Sequence, residues 1–185
     1  MIALLFVLPA CSALDPGDPS VGGAAPSAEV AGDSIDTSGV AARPFASIIV
    51  ASTGTADVAS GPASSFPIYG TPDLMVAVYF NGLPDNDYLG WIEYVAPDGG
   101  TYQLEPVAFS VGDAQAATMA LAGQPTPLHV EPAEPTSQGW RVIQILPVDK
   151  TRIVLFGMSG EWTVRVYLET PNGAPLASTT FVLAE

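Results

Sequence analysis

The stretch Gly160-Glu161-Trp162-Thr163-Val164-Arg165-Val166-Tyr167-Leu168 decides the fold. Trp162, Val164, Val166 and Leu168 alternate with Glu161, Thr163, Arg165 and Glu169. That is the period of two expected of a strand with one face on a core and the other toward water. Pro171-Asn172-Gly173 then interrupts the chain with residues suited to a turn. A second run, Leu176 to Leu183, returns from it with Phe181 and Leu183 facing inward.

The same pattern recurs upstream. Phe45 to Ser52, with Ile48, Ile49 and Val50, reads as a first strand, and Asp73 to Asn81 places Leu74, Val76, Val78 and Phe80 on one face. Tyr88 to Ala96 and Thr101 to Phe109 flank Pro97-Asp98-Gly99-Gly100, whose glycines can adopt the positive φ of a hairpin turn. Gly139 to Val148 is an apolar run that Pro147 ends or confines to an edge, and Thr151 to Phe156 is expected to continue the strand series. Asp113 to Ala122 stays open between a short helix capped by Asp113 and a strand over Thr118 to Leu121. Eight or nine such strands in residues 45–185 fit one domain, and no helix of ordinary length separates them as an α/β fold would require.

The ending from Gly160 to Leu168, with its turn and Thr179-Thr180-Phe181-Val182-Leu183, resembles the closing hairpin of bacterial immunoglobulin-like domains. The resemblance implies an all-β, antiparallel immunoglobulin-like β-sandwich over 45–185. It covers the closing hairpin alone and carries no function with it.

The N-terminus speaks to location. The apolar run Ile2 to Leu8 is too short for a hydrocarbon core that needs about 20 residues, but it suits the apolar segment of an export signal ending in a small residue, here Ala10. Leu8-Pro9-Ala10-Cys11 resembles the lipobox of bacterial lipoproteins. It implies a signal peptide over 1–10, cleavage before Cys11, and lipid on that cysteine, the single one in the chain. The competing reading of Met1 to Ala13 is a buried first strand with an inert cysteine. Ser12 in place of aspartate implies, by analogy with enterobacterial lipoproteins, the outer membrane. One acyl chain holds a membrane only marginally, and the resemblance implies three.

Residues 11–44 shift to Ala, Gly, Ser, Pro and Asp and read as a disordered, flexible tether. Asp15, Asp18, Glu29, Asp33 and Asp36 outweigh Arg43 there, giving a net charge of −4 that favours extension from an anionic bilayer. The whole chain carries −14, with five Lys and Arg in total, which argues against nucleic acid as a partner. Charged residues make up 13% and hydrophobic ones 48%, so residues beyond the tether are expected to fold around a core.

Catalytic patterns are thin. Gly32-Asp33-Ser34-Ile35 resembles the nucleophile motif of GDSL-type esterases, but it falls in the tether, and Thr126 stands where those enzymes place an aspartate before the histidine, here His129. Gly157-Met158-Ser159-Gly160 reads as a turn, and His129 as a surface or capping residue. With so few His and Cys, zinc and copper sites are not expected. Asp85-Asn86-Asp87 offers oxygen ligands for calcium, with Asp85 and Asp87 as the candidates, though such residues also form turns unaided. Glu93 and Glu105, on neighbouring strands, are the candidate carboxylate pair of a hydrolase, or else solvent-facing hairpin residues. Trp162 is expected in the core, whereas Tyr79, Tyr94 and Tyr167 fall opposite the apolar stripes and are the candidates for an exposed platform contacting a sugar or a partner.

The sequence thus points to an exported, lipid-anchored, nonenzymatic immunoglobulin-like domain for binding or assembly, without a cofactor, with the membrane and an envelope protein or glycan as partners. A carbohydrate-binding module for peptidoglycan or exopolysaccharide is the first alternative, and a carboxylate-dependent hydrolase the second.

Overall fold

The alternating stretch Gly160–Leu168 is a strand in the structure, a computed structural model that describes residues 43–53, 64–114 and 116–185. The export signal, Cys11, residues 11–42 of the tether and Gly32-Asp33-Ser34-Ile35 lie outside the described residues. Within the compact unit Val40–Glu185 the strands form two sheets. The first contains β1 (Phe45–Ser52), β3 (Asp73–Asn81), β9 (Gly139–Pro147) and β8 (Glu134–Thr136), in the order β1-β3-β9-β8. The second contains β2 (Ser65–Pro67), β11 (Ala177–Ala184), β10 (Gly160–Leu168), β4 (Asn86–Val95), β5 (Thr101–Val111), β7 (Leu128–Pro132) and β6 (Thr118–Met119), in that spatial order. Pairing is antiparallel except where β2 meets β11 and β5 meets β7.

These orders are those of an immunoglobulin-like sandwich. β1-β3-β9-β8 runs as its A-B-E-D sheet, and β11-β10-β4-β5 as its G-F-C sheet with one further strand beyond C. The core forms where the inward stripes meet: Leu74, Val76 and Val78 of β3 against Trp162, Val164 and Val166 of β10, with Phe181 and Leu183 of β11. Trp162 lies at the start of β10, where immunoglobulin domains place a corner tyrosine bonded back to the main chain. Its indole Nε1–H donates to the Met158 carbonyl at 3.0 Å, so a tryptophan makes the same link here. Its ring stacks on Phe181 at 6.2 Å and receives Tyr102 edge-on at 5.3 Å.

Gly99, at φ 83°, turns the β4–β5 hairpin, and the Asp98 carboxylate accepts from the Gly100 N–H. Gly139 is needed for a different reason: at φ 120°, a Cβ there would lie 2.5 Å from the Phe80 carbonyl oxygen.

Thr151 to Phe156 is not a strand but a short helix, α1 (Arg152–Leu155). Thr151 starts it, its Oγ1 accepting from the Ile153 N–H at 3.2 Å and donating to the Val148 carbonyl at 2.6 Å. In this helix Ile153 is buried and Val154 packs against the core, while Leu155 and Phe156 stay exposed. In the open segment Asp113 to Ala122, Thr118–Met119 forms the two-residue strand β6. Proline-flanked β2, β7 and β8 were not evident from periodicity, because three to five residues are too few to show one.

Candidate functional site

The tyrosine platform does not form. Tyr79, Tyr94 and Tyr167 are 4%, 0% and 6% exposed, and they belong to three different environments. Tyr94 of β4 points between the sheets, because Ile92 and Tyr94 share the inward face. Its hydroxyl is buried without a hydrogen-bond partner, and burial, with Glu105 second, pushes its pKa far up. Tyr79 and Tyr167 do point outward, but each is covered by an arginine network on its own sheet.

On the seven-stranded sheet that network centres on Glu93. Thr101 Oγ1 donates to Glu93 Oε1 at 2.6 Å, Tyr167 donates to Oε2 at 2.7 Å, and Arg165 Nη1 stands 3.4 Å from Oε2. The Thr101 hydrogen bond, joined by Tyr167 and Arg165, holds the Glu93 carboxyl below its ordinary range despite the opposing cost of burial. Burial and the Glu93 carboxylate raise the Tyr167 phenol. On the four-stranded sheet the row Tyr79–Arg141–Glu134 is set by register, since Arg141 opposes Tyr79 on one side and Glu134 on the other. Arg141 pairs with Glu134, and that bond, with help from Tyr79, raises the guanidinium pKa.

The carboxylate pair fails on register. Glu93 opposes Leu104, and Glu105 opposes Ile92, so the two carboxylates sit on opposite faces of the sheet. Nor is Glu105 solvent-facing: it lies between the sheets, half-buried, and accepts from the side-chain amides of Gln103 and Gln144. A cleft of about 420 Å³ opens where β5 and β7 face β8 and β9, lined in part by Glu131 and Glu134. Glu134 is held by Arg141, and Glu131 stands 3.4 Å from the His129 ring.

Among the described residues, no three or more His, Cys, Asp and Glu side chains are grouped to hold a metal ion. Asp85 packs against Gly112, where an added Cβ would lie 2.2 Å from its carboxyl carbon, and Asp87 opposes Ser110 in the β4–β5 ladder. His129 is a surface residue whose Nδ1 lies 3.0 Å from the Ala117 carbonyl. Gly157 to Gly160 links α1 to β10, with Gly157 at φ 58° and Gly160 at φ 126°.

One feature escaped the periodicity reading. On the outer face of the four-stranded sheet, register aligns Ile49, Ala77 and Ile143 in one row and Ala51, Met75 and Ile145 in the next. Ile143 and Ile145 are 43% and 40% exposed, so the middle of an outward sheet face is apolar where a two-layer sandwich needs polar residues. The signal was present in Leu74-Met75-Val76-Ala77-Val78-Tyr79-Phe80, which does not alternate. Unbroken apolar runs of this kind mark strands covered on both faces.

No family model matches the chain, and no curated protein matches it. Among solved structures the chain is similar to an immunoglobulin-like protein from Pseudomonas aeruginosa, with 14% sequence identity, 79% of this chain and 100% of that chain covered, and a TM-score of 0.41. The assignment of the fold rests on the strand order.

Proposed function

We propose that the chain is an exported envelope protein, lipid-anchored at Cys11 and facing the periplasm or cell surface from the outer membrane, whose immunoglobulin-like domain binds a protein partner rather than catalysing a reaction. The observation that carries the binding role is the apolar outer face of the four-stranded sheet, where Ile143 and Ile145 are exposed beside the half-buried Ile49 and Met75. An apolar patch in a chain of net charge −14 is where a partner gains by excluding water. The mechanism is confinement: an anchor restricts the domain to a shell near the membrane and raises its effective concentration for a partner in reach.

The anchor is supported by the lipobox-like Leu8-Pro9-Ala10-Cys11 behind its apolar run. Growth with labelled palmitate tests it: the native protein takes up label and Cys11→Ala does not, and equal labelling refutes the anchor. The binding face is tested separately by Ile143→Thr with Ile145→Thr, which keeps β-branched residues on the strand. In-cell crosslinking to the partner is expected to fall at least about ten-fold, the effect of roughly 1.4 kcal/mol. An unchanged yield would remove this face from the proposal.

A further inference from the structure

The end of the sandwich that carries α1 holds a second surface of different chemistry. A cleft of about 480 Å³ is lined by Tyr102, Lys150, Thr151, Arg152, Val154 and Leu155. A chain with 19 acids and five Lys and Arg thus places two of its cations on one cleft, with no carboxylate among the described lining residues and with Asp149 and Asp98 at its margins. Among the described residues Arg152 has no carboxylate partner; its guanidinium stands 5.9 Å over the Phe156 ring. Lys150 stands 3.9 Å from Asp149 and is 91% exposed, leaving its ammonium largely available.

The cleft is built rather than incidental. Tyr102 is the extra residue of a β-bulge: Tyr94 opposes Gln103 while Val95 opposes Thr101. Bulges re-aim a side chain and occur often beside functional sites. Tyr102 meets the buried Trp162 edge-on and also lines a smaller adjoining cleft of about 180 Å³ that Arg152 shares. The loop bearing the cations is fixed by the Pro72 carbonyl, which accepts from the N–H groups of Val148 and Asp149 at 3.0 Å each. Lys150 itself is held at φ 60°, a left-handed conformation that a lysine rarely takes.

From these residues we infer that the cleft binds an acidic sugar, its ring against Tyr102 and Leu155 and its carboxylate between Lys150 and Arg152. An aromatic wall suits a sugar ring, and paired cations select the charged ring over a neutral one. The site lies at the end of the domain remote from Arg43. β1 begins opposite Asn81 and β9 ends opposite Asp73, the two ends of nine-residue β3, which at about 3.4 Å per residue are roughly 30 Å apart. The inference is independent of the lipid anchor and of the apolar face, and a purified chain without membrane tests it.

The experiment is calorimetric titration of the full chain with trigalacturonate, with N-acetylmuramic acid, with neutral galactotriose and with laurate. Binding of either acidic sugar with no binding of galactotriose is expected, and which acidic sugar binds tells a uronate polymer from peptidoglycan as the source. Arg152→Gln is expected to weaken it about ten-fold and Lys150→Gln several-fold, whereas Arg165→Gln, on a sheet face, leaves it unchanged. Circular dichroism confirms that each variant is folded. Equal binding of galactotriose, preference for laurate, no binding of either acidic sugar, or indifference to Arg152→Gln overturns the inference.

Discussion

The two sheets of this domain treat their outer faces in opposite ways. On the seven-stranded sheet, β10 alternates cleanly, and its outward residues Arg165 and Tyr167 join Glu93 and Thr101 in a polar network. On the four-stranded sheet, β3 is apolar on both sides, and its outward Met75, Ala77 and Tyr79 sit beside Ile49, Ile143 and Ile145. The first sheet needs only the core beneath it. The second has an apolar surface that the core does not use, so a difference in sequence period becomes a difference in what each sheet offers to its surroundings.

Substitutions put that contrast to the test. Trp162→Ala removes the side chain that joins Phe181, Tyr102 and the Met158 carbonyl, and is expected to cost about 3–5 kcal/mol in urea unfolding. Gly139→Ala meets both an unfavourable φ and the Phe80 carbonyl; a loss above about 1 kcal/mol is expected by the same measurement. Ile143→Thr with Ile145→Thr, on the half-exposed outer face, is expected to change stability by less than about 1 kcal/mol while removing partner binding. A loss like that of Trp162→Ala would make those isoleucines structural and erase the distinction between the faces.

Two smaller effects concern single polar groups. Tyr94→Phe deletes a buried hydroxyl that has no partner, so stability is expected to hold or rise slightly in thermal unfolding, since an unpaired buried hydroxyl costs free energy. Because burial raises the Tyr94 pKa in the folded chain, its neutral form favours folding, and that contribution fades as pH climbs past the ordinary tyrosine value in the unfolded chain. Glu93 has the opposite sign. Its pKa is lowered on folding, so its contribution is full above the ordinary carboxylate range and is lost as pH falls through the lowered value. Acid titration of unfolding is expected to be shallower for Glu93→Gln than for the native chain.

The fold was legible where strands are long and one-sided. Phe45–Ser52, Asp73–Asn81 and Gly160–Leu168 stand at the ends read from sequence, and the Pro97–Gly100 turn is where its glycines placed it. Thr151 to Phe156 misled because an apolar run of that length fits helix and strand alike, and the local Thr151 cap decided between them. The tyrosines misled for another reason. Tyr167 and Tyr79 are on outward faces, as alternation says, but period does not report that Glu93 and Arg141 fold over them. Glu105 sits one strand position from Leu104, the residue that faces Glu93, so the two carboxylates fall on opposite faces, which only the β4–β5 register reveals. The Lys150–Arg152 cleft depends on a bulge at Tyr102, and a one-residue insertion leaves no periodic signature.

The most direct test compares the two outer faces in intact cells. A photocrosslinking residue replaces Ile143 on the four-stranded sheet in one strain and Glu161 on the seven-stranded sheet in another. The expected result is a discrete crosslinked protein from position 143 and none from position 161. Crosslinks from 161 alone, or equal crosslinks from both, would contradict the claim that the apolar sheet face is where this domain meets its partner.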